Sequence, residues 1–116
     1  MRNRRLIIVF MVAFVFVRSA QAHAFLDHAD PKVGSTLHEP PSRVTVWMTE
    51  ALEPAFSRLQ VFDAKGVEVD KKDTRVDGAT MVVSLQKLPA GTYHVSWQVV
   101  AVDTHKTSGT FDFTIQ

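Results

Sequence analysis

The sequence of 116 residues contains no cysteine. That excludes a disulfide framework, thiolate zinc sites, iron–sulfur clusters and a cysteine nucleophile. Glycine and proline are sparse, five of each, which excludes collagen-like and low-complexity chains. Neither a G-x-S-x-G elbow nor a phosphate-cradling glycine loop occurs. Long apolar runs are also lacking. The one present, residues 6–17, is shorter than the about 20 residues a spanning helix needs.

That run has a recognisable setting. Arg2, Arg4 and Arg5 precede it, and Arg18, Ser19 and the small-x-small triplet Ala20-Gln21-Ala22 follow it. A basic start, a short apolar centre and an A-x-A ending are the parts of a secretory signal peptide, so residues 1–22 are expected to be removed after Ala22. Cleavage takes away four arginines and no acid. Residues 23–116 then carry nine bases against 12 acids, a formal charge of −3. This balance argues against nucleic acid, whose phosphates need a basic surface, and offers anionic lipid no polybasic stretch. The remaining 94 residues suffice for one modest core. An exported chain without cysteine suits a bacterial periplasm, where the mature protein would be soluble.

What the mature chain does have is alternation. Residues 23–29, 43–49, 58–63, 67–70, 81–85, 92–102 and 109–116 read as strands, with 71–76 as further extended chain. Val44, Val46 and Met48 share one face of their strand and Trp47 takes the other. In 92–102, Tyr93, Val95, Trp97, Val99 and Ala101 oppose His94, Ser96 and Gln98. Turn signals separate the strands: Asp30-Pro31 with Gly34, Ala64-Lys65-Gly66, Asp77-Gly78 and Leu88-Pro89-Ala90-Gly91. About seven short strands predict an all-β, immunoglobulin-like β-sandwich, with a small closed barrel as the alternative. Trp97 is the tryptophan expected at its centre.

Few residues can carry chemistry. Asp70 and Asp73 lie in a polar, turn-rich stretch and read as solvated surface. Cleavage after Ala22 makes His23 the first residue, so its α-amine and ring Nδ1 can chelate one metal ion. Asp103 and His105 lie two apart in a loop expected over 103–108, and extended backbone there would turn both side chains to one side. His23, Asp103 and His105 together would offer three nitrogens and one oxygen. That set suits Cu(II) in a tetragonal plane, whereas zinc accepts the same donors but prefers a tetrahedron. The bland alternative is that Asp103 tightens a loop and His105 is surface. His28, His38 and His94 read as exposed residues. Met48 and Met81 are the only methionines after residue 22 and stand 33 positions apart, which suits core filling better than a Cu(I) thioether site.

Several segments together resemble the CopC-type periplasmic copper-resistance proteins. They are His23-Ala24-Phe25-Leu26, Asp30-Pro31-x-x-Gly34, the run from Leu88-Pro89-Ala90-Gly91 through Val100, Asp103-x-His105, Ser108-Gly109 and Phe111-x-Phe113. The resemblance spans residues 23–116 and is least specific in the middle third. It implies a Greek-key β-sandwich that binds Cu(II) without catalysis, through the amine and ring of His23, the ring of His105 and Asp103. Two-site relatives hold Cu(I) on a Met-rich loop that is missing here, so a Cu(II)-only carrier or buffer is implied. Its partner would be a separate CopD-type inner-membrane copper transporter, and the protein itself a monomer. Two other functions stand beside this one: a copper-dependent redox enzyme of the histidine-brace type, and a metal-free interaction module.

Overall fold

The computed structural model describes residues 24–116, so the signal segment and His23 lie outside the described residues. Eight strands follow in order: β1 (Leu26–Asp30), β2 (Thr36–Leu37), β3 (Arg43–Met48), β4 (Arg58–Phe62), β5 (Arg75–Asp77), β6 (Thr80–Ser84), β7 (Gly91–Val100) and β8 (Lys106–Ile115). One 3₁₀ turn, Pro54–Phe56, precedes β4. The strands form two four-stranded sheets, ordered β1-β3-β6-β5 and β2-β8-β7-β4. This is the expected sandwich. No helix among the described residues is long and apolar enough to cross a membrane.

Alternation builds the core. Val44, Val46 and Met48 of β3, Met81 and Val83 of β6, and Leu59 and Val61 of β4 are buried. From β7 and β8 come Tyr93, Val95, Trp97, Val99, Phe111, Phe113 and Ile115. Both methionines are thus packed among hydrocarbon. The Tyr93 phenol donates to the Pro89 carbonyl at 2.5 Å, and its ring stacks on Phe113. Burial, reinforced by the Asp63 carboxylate, pushes the phenol pKa up and keeps it a donor. Gly109 sits under Trp97: a Cβ there would lie 2.4 Å from the indole Cζ2.

Three parts differ from the sequence expectation. The first strand begins at Leu26 and carries a bulge at Asp27, because Leu26 pairs with Met48 while His28 pairs with Trp47. The β7–β8 hairpin is longer than expected, since Lys106, Thr107 and Ser108 pair with Val100, Val99 and Gln98. Backbone pairing needs no apolar side chain, so the hydrophilic start of β8 hid it. Residues 67–70 make single bridges at Glu68 and Asp70 rather than the expected strand, and with 71–74 they line the outer edge of β4. There Val69 N–H donates to the Val61 carbonyl, Asp70 Oδ2 accepts from Val61 N–H at 2.9 Å, and Thr74 Oγ1 accepts from Leu59 N–H. Asp70 is consequently 2% exposed. The solvated-surface reading of Asp70 is corrected: the backbone donors of a sheet edge draw its carboxylate inside. Asp73 remains half-exposed, and its bonds to Ser84 hold its pKa below the usual carboxylate value.

Candidate metal centre

The tip of the β7–β8 hairpin spans residues 101–105, held by Ala101 N–H on the His105 carbonyl and Thr104 N–H on the Ala101 carbonyl. Here the structure brings Asp103 and His105 together. His105 Nδ1 lies 3.1 Å from Asp103 Oδ2, while Asp103 Oδ1 accepts the His105 backbone N–H at 3.1 Å. The cause is not extended backbone, as the spacing suggested. Thr104 has φ +75°, a left-handed conformation that is strained for a β-branched residue. A tight turn folds Asp103 back over His105. The carboxylate thus stands beside one ring nitrogen of the imidazole, the place that outer-shell partners take in many metal sites. Both side chains are about 40% exposed, 41% for Asp103 and 38% for His105, so an ion can reach them from solvent.

The start of the described chain lies against the same hairpin. Ala24 is fully buried, and its carbonyl accepts a 2.5 Å hydrogen bond from Thr107 Oγ1. Phe25 N–H donates to Thr49 Oγ1 at 2.9 Å, and Thr49 N–H returns a bond to the Phe25 carbonyl. The chain thus enters the domain two residues along β8 from His105. Among the described residues, no group of three or more His, Asp or Glu side chains stands ready to hold one ion. Asp103 and His105 supply two donors.

The other histidines are engaged elsewhere. The bulge in β1 exposes both Asp27 and His28, whose Nδ1 lies 2.6 Å from the Asp27 carboxylate. The His28 ring stacks on Trp47 at 4.3 Å between centroids. His94 pairs with Asp112 of β8 at 2.6 Å on the outer face of its sheet. His38 is exposed beyond β2. Sequence reasoning missed the anchoring role of Thr107. An isolated threonine gives no signal, although its place on the inward face of β8, in line with Phe111, Phe113 and Ile115, is visible once the strand is known.

Residues 26–116 match the CopC domain. The chain belongs to the CopC family. Its fold is that of the CopC crystal structure from Methylosinus trichosporium OB3b, with a TM-score of 0.76 and 25% identity over 81% of this chain and 94% of that one. PcoC, a methionine-rich copper resistance protein from Escherichia coli, superposes with a TM-score of 0.71 and 30% identity over 82% of this chain and all of that one. The copper transport protein CutJ of Bacillus subtilis (strain 168) is 31% identical over 98% of this chain, which spans only 22% of CutJ's length. Proteins of this family bind copper in copper resistance and are not enzymes.

Proposed function

We propose that this CopC protein is exported, cleaved after Ala22, and carries or buffers Cu(II) in the periplasm. The ion is held by the amine and ring of His23 and by the ring of His105. Asp103 contributes an oxygen or orients His105 from outside. The observation that carries this reading is the bond from Thr107 to Ala24. Ala24 directly follows His23, and consecutive Cα atoms lie 3.8 Å apart. A chain freed after Ala22 would therefore start one residue before Ala24, which is bonded to the strand that follows Asp103 and His105. The donor set is nitrogen-rich with one hard oxygen, which favours Cu(II). Burial of Met48 and Met81 in the core supports a Cu(II)-only site without a Met-rich Cu(I) counterpart. We further propose that the protein acts as a monomer and exchanges copper with a separate CopD-type membrane protein.

The test is a Cu(II) titration, followed by electron paramagnetic resonance, of protein beginning at His23 and protein carrying one extra alanine before it. The expected result is one tightly bound equivalent with a nitrogen-rich tetragonal spectrum for the native start alone. Equal binding by both forms would remove His23 as the chelating anchor. Binding by neither would leave a metal-free module.

A further inference from the structure

We infer that Thr107 is a positioning residue of the copper site, holding the first residue of the processed chain where it must be for chelation. This rests on the Cu(II) site proposed above and deepens it. Thr107 occupies an inward-facing position of β8, in line with Gly109, Phe111, Phe113 and Ile115, where the alternation otherwise places apolar residues. Its hydroxyl donates to the carbonyl of Ala24, a residue with no exposed surface. A buried carbonyl without a donor is costly, so this bond fixes the chain where it enters the domain. Thr107 also follows His105 by two residues and pairs across the hairpin with Val99. The β7–β8 hairpin therefore carries a proposed ligand at its tip and, two residues on in β8, the clamp for the segment bearing the other. Thr49 holds the next residue by two bonds, through its hydroxyl to Phe25 N–H and its own N–H to the Phe25 carbonyl. Together they confine the backbone on the C-terminal side of His23. A bidentate anchor at a free chain end loses much conformational freedom on binding, and prior confinement lowers that cost.

Thr107→Val and Thr107→Ser separate the role of the hydroxyl from that of an ordinary core threonine. Valine matches the shape without the hydroxyl; serine keeps the hydroxyl without the methyl. Each variant is produced as the full chain, recovered from the exported fraction of a bacterial host, and checked by mass for its first residue. Cu(II) affinity is read by competition with a chromogenic chelator, the coordination by electron paramagnetic resonance, and the metal-free fold by thermal unfolding. Thr107→Val is expected to weaken Cu(II) roughly tenfold or more, the range for losing an outer-shell partner, with altered copper hyperfine splitting. Thr107→Ser is expected to restore both. Wild-type affinity and spectrum in Thr107→Val, while His105→Ala loses copper, would overturn the positioning role and leave the site standing. Equal loss in the valine and serine variants would overturn it too, by showing that volume matters and the hydroxyl does not. If His105→Ala and the alanine-extended form also bind as wild type, the site itself is wrong.

Discussion

Single residues set local limits that can be read directly. Gly109 has no side chain because the Trp97 indole fills that space. Gly109→Ala must displace the ring or the strand, and a destabilisation of about 1–3 kcal/mol is expected from overpacking. Thermal unfolding, with tryptophan emission as the second probe, checks it. Thr104 is the opposite case, a residue in a conformation it tolerates poorly. Asparagine enters the left-handed region more readily. Thr104→Asn is therefore expected to raise stability by about 1 kcal/mol, seen as a higher Tm in metal-free protein. An unchanged or lower Tm would mean that the turn stores no strain at Thr104.

At the scale of elements, the outer edge of β4 is one of the sheet edges at which this sandwich could pair with another copy of itself. Residues 67–74 close it, with Asp70 taking the Val61 and Lys72 N–H groups. Bonds to a charged acceptor are each worth about 1.5–3 kcal/mol. Asp70→Ala removes two such bonds, should lose about 3 kcal/mol or more, and should also self-associate as the edge opens. Urea unfolding and light scattering measure the two effects. Asp73, beside it, ties this segment to Ser84 of β6. Its folded pKa is lowered, so its contribution is present above the ordinary carboxylate pKa and lost as pH falls through the folded value. Urea midpoints of wild type and Asp73→Asn should therefore differ most at neutral pH and converge in acid. A constant gap would count against the linkage.

Across the described residues, the two sheets bring the segment at Ala24 and the β7–β8 hairpin together, although Ala24 and Thr107 are 83 positions apart in sequence. Any ligand bound only by this folded arrangement stabilises it by mass action, about 2.7 kcal/mol at a hundredfold excess over Kd. Cu(II) should raise the Tm of protein beginning at His23 and leave that of His105→Ala unmoved, as calorimetry would record.

The order of β3, β4, β7 and β8, the buried face of each, and the burial of Trp97 were legible in the sequence. Each follows from a period-two pattern or from a turn residue close by, and such signals are local. Asp103 and His105 were legible as a pair for the same reason, two residues apart with metal-binding side chains. What tertiary structure alone decided was contact between distant parts of the chain. It placed Asp70 inside as the guard of β4, extended β8 back to Lys106, paired the two residues of β2 with the end of β8, and turned His94 onto the Asp112 carboxylate. It also set the hydroxyl of Thr107 on the carbonyl of Ala24. Hydrogen bonds of this kind join donors and acceptors that nearly every residue carries, so residue type does not announce them, and only the packed sheets select which of them meet.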